Sequence, residues 1–143
     1  MYFDTHCHLN SEELYGQLDE YINHALSNGV DRMMVVGYDL PSSRRAVEIA
    51  SQYDFIYAAV GIGPNDCLNT TDEDLLEIDQ MLTHAKVVAL GEVGLDYYWD
   101  DVPKDKQQEV FRKQIELSKK HNVPLVIHAR DALADTYDFL KAG

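Results

Sequence analysis

The sequence predicts an α/β fold built on a parallel sheet, and two observations support this prediction. Short apolar runs alternate along the chain with longer segments in which apolar residues recur at spacings of three and four, as on one face of a helix. The runs are apolar at consecutive positions, as in Met33-Met34-Val35-Val36, which is typical of parallel strands buried on both faces. Strands and helices that alternate in this way favour right-handed crossovers between neighbouring parallel strands.

Each element is predicted from an apolar run or from a capping residue. Strand one covers 1–5, and Ser11 caps a helix whose apolar stripe ends at Asn28-Gly29. Strand two covers 30–36, and Pro41, which suits a first helical turn, begins the second helix. The remaining predicted elements are strand 55–60, a helix capped at Thr70 or Thr71, strand 87–92, a helix from Pro103 to about Asn122, strand 124–127 and helix 131–142.

Composition limits the class of protein. The chain has 143 residues, of which 45% are hydrophobic, so 1–143 is predicted as one domain with a buried core. No apolar run approaches the roughly 18 residues of a membrane span, and the acidic residues near Met1 are unlike a secretory leader, which favours a cytoplasmic protein. The net charge of −13 excludes a broad duplex DNA surface, so a phosphate-bearing substrate has to be attracted locally.

Side chains that bind metals follow three of the predicted strands. His6 and His8 are separated by one residue, so in an extended strand both imidazoles project to the same face. Glu92 and His128 each end another apolar run. Because the carboxyl ends of parallel strands meet at one edge of the sheet, these four side chains are expected to share a metal site. Mixed imidazole and carboxylate ligands suit Zn, Mn, Ni or, more weakly, Mg.

Three further residues, Arg130, Asp96 and Tyr97, are candidate substrate contacts near the same edge. Arg130 follows the His128 strand end, and its planar fork suits a phosphate, although an ion pair with Asp131 or Asp96 is the alternative. Asp96 can instead orient a metal ligand or cap its loop.

The aromatic run Tyr97-Tyr98-Trp99 follows strand four. Its rings can stack on splayed bases, as in proteins that bind single strands, or can pack against neighbouring loops. The sequence leaves both interpretations open.

Four motifs resemble signatures of the TatD family of metal-dependent deoxyribonucleases, within the amidohydrolase-type metallohydrolase superfamily. They extend over the chain from end to end. The four motifs are Phe3-Asp4-Thr5-His6-Cys7-His8-Leu9, Gly91-Glu92-Val93-Gly94-Leu95-Asp96-Tyr97-Tyr98, the Gln107 to Gln114 stretch with Phe111, and Pro124-Leu125-Val126-Ile127-His128-Ala129-Arg130-Asp131-Ala132.

The resemblance implies a (β/α)₈ barrel with one or two divalent ions. It implies that His6 and His8 bind one metal, that Glu92 bridges and serves catalysis, and that His128 binds the second metal. The implied reaction is hydrolysis of a phosphodiester at a DNA end, of the 3′–5′ exonuclease type, by a metal-activated water. DNA ends or single-stranded DNA are the implied substrates.

The sequence departs from the family pattern in two respects. Gly63 and Asn65 stand where family members usually carry histidines, which is expected to affect phosphate contacts and rate rather than the metal ligands. Five βα units are predicted, whereas the barrel has eight, so the chain is expected to lack a later metal-binding His and Asp. Strands one and five then form open edges, and a homo-oligomer that covers them is expected.

Two other functions compete with the nuclease. A hydrolase of cyclic amides or phosphotriesters commonly uses a carboxylated Lys as its bridging ligand, and Glu92 at the end of strand four argues against that class. The second alternative is a non-catalytic or inactive metal-binding half-barrel fragment that self-associates. This alternative follows from the difference between the five predicted βα units and the eight of the barrel.

Overall fold

Five strands alternate with five helices in the computed structural model, which describes the backbone of residues 2–7 and residues 18–142. The strands are β1 (Tyr2–Cys7), β2 (Val30–Val36), β3 (Ile56–Val60), β4 (Val87–Asp96) and β5 (Leu125–Arg130). The helices are α1 (Leu18–Ser27), α2 (Leu40–Gln52), α3 (Asp72–Met81), α4 (Lys104–His121) and α5 (Leu133–Ala142). Ser11, predicted to cap the first helix, lies outside the described residues.

The strands form one parallel sheet in the order β1-β2-β3-β4-β5. Each strand pairs with the strand that follows it in the chain, and the described part of each connection contains one helix. The predicted parallel α/β architecture is therefore confirmed, and so is the position of the first and fifth strands at the edges of the sheet. All the carboxyl ends of the strands lie at the same edge.

Apolar residues fill both faces of the sheet. In β2, Met33 and Val35 belong to the main core against the helices, whereas Met34 and Val36 join a smaller cluster on the opposite face. All four are buried, as expected for a strand that is apolar at every position. None of the described helices combines the length and apolar character that crossing a bilayer requires.

Strands four and five are longer than predicted. β4 continues to Asp96 instead of ending at Glu92, and β5 continues to Arg130 instead of Ile127, so both predicted ends were wrong. The reason is a ladder that pairs Gly94 with His128 and Asp96 with Arg130. Gly94 has φ +140°, and a Cβ atom there would lie 2.0 Å from the carbonyl oxygen of His128. Only glycine permits this close approach.

Capping residues fix the helix ends. Thr71 caps α3, as predicted, because its side chain accepts a hydrogen bond from the N–H of Asp74, whose side chain bonds back to the Thr71 N–H. Helix α4 begins after Pro103 and ends at Asn122, which adopts the left-handed conformation with φ 53°. Both α4 ends agree with the prediction. The start of α3 and both ends of α4 therefore lie where their sequence signals indicate, whereas α5 begins at Leu133 and not at the predicted Asp131.

Candidate metal and substrate site

Glu92 and His128 form a pair of side chains in the carboxyl-terminal halves of β4 and β5, four and two residues before the strand ends. The Nδ1 atom of His128 lies 3.2 Å from Oε1 of Glu92, and both side chains are partly exposed. Ligand bonds to zinc are about 2.0 to 2.2 Å long for imidazole nitrogen and carboxylate oxygen, so two ligands of one ion lie roughly 3 Å apart. The separation of the pair and its donor chemistry therefore fit a divalent cation.

Asp96 holds the other side of the His128 ring. Its Oδ2 atom lies 2.9 Å from Nε2 of His128 and accepts a hydrogen bond of 3.1 Å from the Asn65 amide, while Oδ1 accepts one of 3.0 Å from the Tyr98 N–H. Burial by itself would raise the pKa of Asp96, but these hydrogen bonds outweigh it and keep the pKa below its ordinary value. Ionised Asp96 can accept a proton from Nε2, and in that tautomer the unprotonated Nδ1 faces Glu92.

Asp96 was predicted as a substrate contact, with orientation of a ligand or capping of its loop as the alternatives. The side chain is 1% exposed, and protein donors occupy both its oxygens. These contacts fit both alternatives, because Asp96 holds the His128 ring with Oδ2 and caps its own loop with Oδ1.

An open cavity of about 350 Å³ lies in front of the pair. It is lined by Tyr38, Gly63, Pro64, Asn65, Asp66, Glu92 and His128. Partial loss of hydration, together with the carboxylates of Asp39 and Glu92, raises the pKa of Asp66 to about 6. The cavity is wide enough for a small polar group, and its walls carry acidic side chains and one imidazole.

Two buried glutamines of α4 fix the strand ends behind the site. The Oε1 atom of Gln107 accepts the Asp96 N–H at 2.9 Å, and its Nε2 atom donates to the carbonyl oxygens of Asp96 and Val102 at 2.9 and 3.0 Å. Gln114 bonds in the same way to both backbone groups of Ile62, each at 2.9 Å. Each side-chain amide thus replaces a missing backbone partner, which keeps the loops after β3 and β4 in place.

The described residues cover the predicted histidine pair only in part. His6 lies in β1, one residue before the strand ends at Cys7, so its backbone is at the predicted edge of the sheet. The side chain of His6 and the whole of His8 lie outside the described residues. Within the part of the chain that the structure describes, no group of three or more His, Cys, Asp or Glu side chains is arranged to hold a metal ion.

Arg130 and Tyr97 lie in different surroundings. The Arg130 guanidinium stacks on Tyr98, with Cζ 3.8 Å from the ring centroid, and no ion pair with Asp131 or Asp96 forms among the described residues. Tyr97 turns toward the helices, where its hydroxyl donates to Asp135 at 2.8 Å. The Tyr97 interaction corresponds to the packing alternative for this aromatic residue, whereas Arg130 remains at the exposed edge.

The sequence interpretation missed Tyr38 and Asp66, which line the cavity, and the structural role of Gln107. Tyr38 follows β2 by two residues, so the strand-end rule that selected Glu92 and His128 also identifies it. No comparable signal marks Asp66. Its position depends on how the loop after β3 folds over the sheet.

Comparison with known proteins places this architecture in a family. The family described as TatD related DNase matches residues 3–143. YabD of Bacillus subtilis, named as an uncharacterized metal-dependent hydrolase, is 52% identical over 141 residues, covering 99% of this chain and 55% of YabD. The 3′-5′ ssDNA/RNA exonuclease TatD of Cronobacter sakazakii is 30% identical over 132 residues, covering 92% of this chain and 50% of that enzyme.

The fold has a close counterpart among solved structures. The crystal structure of YjjV, a TatD homologue from Escherichia coli, superposes with a TM-score of 0.92 at 31% identity, over 99% of this chain and 55% of YjjV. The predicted barrel-type α/β fold, with five βα units in this chain, is thereby confirmed. The chain spans about half the length of the curated relatives it matches. It belongs to the TatD-related DNase family of metal-dependent hydrolases.

Proposed function

We propose that this chain forms the part of a metal-dependent phosphodiester hydrolase that carries Glu92 and His128, and that the enzyme removes nucleotides from the 3′ end of single-stranded DNA. The observation that carries the proposal is the Glu92–His128 pair at the mouth of an open cavity. The name of the Cronobacter sakazakii relative, an exonuclease on single-stranded DNA and RNA, supports the substrate class.

The metal ligands in this proposal are Glu92 and His128 together with His6 and His8. A divalent ion bound there supplies Lewis-acid polarisation of a phosphate and an activated water. Asp96 keeps Nδ1 of His128 directed at the cavity, because it holds the opposite ring nitrogen at 2.9 Å. The carboxylate of Glu92 adds the negative charge that a divalent cation requires.

Arg130 is the proposed phosphate contact. Its face covers the Tyr98 ring, and the N–H groups at the edge of a guanidinium remain available for a bidentate contact. Lysines on α4 are engaged elsewhere, since Lys113 bonds to Asp72 and Lys120 to Asp79. Local attraction by Arg130 and by bound metal therefore has to overcome the net charge of −13.

A nuclease assay tests the proposal. Single-stranded oligonucleotides labelled at the 5′ end are incubated with the purified chain and Mg²⁺, Mn²⁺ or Zn²⁺, and parallel reactions contain EDTA. We expect products that shorten stepwise from the 3′ end, only without EDTA. Glu92→Gln and the double variant His6→Ala, His8→Ala should each lower the rate at least about 100-fold, as loss of a metal ligand or its support does.

Glu116→Gln is the matched control, because Glu116 is an exposed glutamate on α4 whose ion pair with Lys119 is long, at 3.8 Å. It should cleave at the wild-type rate. Cleavage that persists in EDTA would refute the proposed site. Wild-type cleavage rates in both Glu92→Gln and Glu116→Gln would refute it as well.

A second candidate function is a non-catalytic, metal-binding half-barrel that self-associates. Exposed apolar residues on α5 favour it, since Leu133 is 78% and Leu140 37% exposed, and the neighbouring β5 has one unpaired edge in the described sheet. Sedimentation velocity across a range of concentrations tests it. Dimers that Leu133→Glu dissociates, in a protein without nuclease activity, would favour this function over the first.

A further inference from the structure

The aromatic run after β4 is divided between the protein interior and the solvent. Tyr97 is partly buried and hydrogen-bonded to Asp135, whereas Tyr98 and Trp99 are 52% and 49% exposed. Their rings contact each other edge to face, with centroids 4.7 Å apart. Two large aromatic side chains thus remain half in solvent at the edge of the sheet where the candidate site lies.

The two exposed rings are held in place before any ligand arrives. The guanidinium of Arg130 lies 3.8 Å above the Tyr98 ring and 5.9 Å from the Trp99 ring, which are cation–π distances. The Tyr98 N–H donates to Oδ1 of Asp96 at 3.0 Å. A ligand that stacks on these rings therefore loses little side-chain entropy in ordering them.

One residue connects the rings to the candidate site. Asp96 accepts the Tyr98 N–H with Oδ1, and its Oδ2 atom lies 2.9 Å from Nε2 of His128. The backbone at Tyr98, which carries the first ring, is therefore fixed by the same buried carboxylate that contacts the proposed metal ligand His128. A group bound on the rings lies beside Arg130, the proposed phosphate contact.

Charges around the rings orient such a ligand. Arg130 is positive and lies over Tyr98, whereas Asp100 and Asp101 are exposed and directly follow Trp99. A phosphate is attracted to the first position and repelled from the second. The arrangement suits a molecule with a flat ring and a phosphate beside it.

We propose that Tyr98 and Trp99, held by Arg130, form a stacking platform for an unpaired nucleobase next to the scissile phosphate. The platform rests on the proposed nuclease function and gives a physical reason for its single-stranded substrate, because the bases of a duplex are covered by their neighbours and cannot stack on side chains. Stacking accepts any base, so the platform selects strandedness and not sequence.

Intrinsic fluorescence provides the test, because Trp99 is the only tryptophan in the sequence. Oligo(dT) is titrated into the protein in the presence of EDTA, so that binding is measured without hydrolysis. We expect saturable quenching of Trp99 by the single strand. A blunt-ended duplex of the same length should bind at least roughly 10-fold more weakly, because its bases are not free to stack.

Variants separate stacking from other causes of quenching. Tyr98→Ala should weaken oligo(dT) binding by roughly 5- to 150-fold, the range for loss of one base–aromatic stack, and Tyr98→Phe should restore it to within about threefold. Tyr137→Ala is the matched control, because Tyr137 is an aromatic residue 62% exposed on α5. It should bind as the wild type does.

Absence of quenching, equal quenching by the duplex, or equal affinities of Tyr98→Ala and Tyr137→Ala would overturn the platform. If the nuclease proposal is wrong and the platform is right, Glu92→Gln leaves hydrolysis unchanged while oligo(dT) binding in EDTA persists. If hydrolysis depends on Glu92 but Tyr98→Ala changes neither binding nor KM, only the platform is refuted.

Discussion

Replacement of Gln107 tests how firmly the fold holds the candidate site. The side chain is 1% exposed and makes three hydrogen bonds of 2.9, 2.9 and 3.0 Å, two of them to the backbone of Asp96. Gln107→Met keeps the length of the side chain and removes every strong hydrogen-bonding group. It leaves a buried N–H group and two carbonyl oxygens without this partner.

The expected loss follows from these three bonds. At about 1 kcal/mol for each net hydrogen bond, Gln107→Met should lower the free energy of unfolding by about 3 kcal/mol. Domains of ordinary stability unfold with about 5 to 15 kcal/mol, so the effect is large. With a urea slope of about 1 to 3 kcal/mol/M, the midpoint should fall by roughly 1 to 3 M.

Urea denaturation followed by circular dichroism measures the change, with Gln80→Met as the control. Gln80 is an exposed glutamine on α3, so its replacement should stay within about 0.5 kcal/mol of wild type. A loss of stability in Gln107→Met no larger than that in Gln80→Met would show that these hydrogen bonds do not hold the strand end.

Gln107→Glu adds a pH dependence with a definite sign. The protonated carboxyl of the new side chain retains one acceptor and one donor. The ionised form is buried and faces two carbonyl oxygens, so the pKa of this carboxyl in the folded protein lies above the unfolded value of about 4.3. As pH rises, the unfolded chain releases this proton first, and the variant loses stability relative to wild type. A difference that stays constant between pH 4 and pH 7 would contradict this account.

Three further predictions concern single positions. Gly94→Ala should destabilise the protein by about 3 kcal/mol or more, because its Cβ would lie 2.0 Å from a carbonyl oxygen of β5. Gly63→Ala is the control in the same urea titration, and it should destabilise far less because the nearest atom to its Cβ would be 3.5 Å away. Burial raises the pKa of the Cys67 thiol to about 11, so peptide mass spectrometry should find Cys67 unalkylated by iodoacetamide at pH 8 until urea unfolds the chain. The carboxyl of Asp66 should titrate in NMR near its raised pKa of about 6, and titration near 4 would contradict this value. Because the unfolded chain ionises at lower pH than the folded protein, the wild-type protein should lose stability between pH 4 and pH 6, and Asp66→Asn should remove that loss.

Much of the fold follows from local sequence signals. The apolar runs locate all five strands of the described sheet, and Thr71 and Asn122 mark helix ends where the structure has them. These features depend on residues close together in the chain. The strand-end rule also brings Glu92 and His128 to one edge, because parallel strands share the direction of their carboxyl ends.

What surrounds those two residues was decided by the tertiary structure. The partner of His128 is Asp96, 32 positions away, and the partner of the Ile62 backbone is Gln114, 52 positions away. Such contacts depend on the register between strands and on how a helix lies across them, and spacing along the sequence does not encode either. The division of the aromatic run has the same origin, since Tyr97 packs against helices while Tyr98 is held by Arg130.

The sequence by itself therefore determined the parallel α/β class and the edge of the sheet at which the candidate site lies, because both follow from the order and polarity of neighbouring residues. The tertiary structure alone decided that β4 and β5 continue past the predicted ends, that Asp96 contacts the His128 ring, and that Tyr98 stays exposed. The physical reason is that close strand pairing and burial arise only when segments far apart in the chain meet.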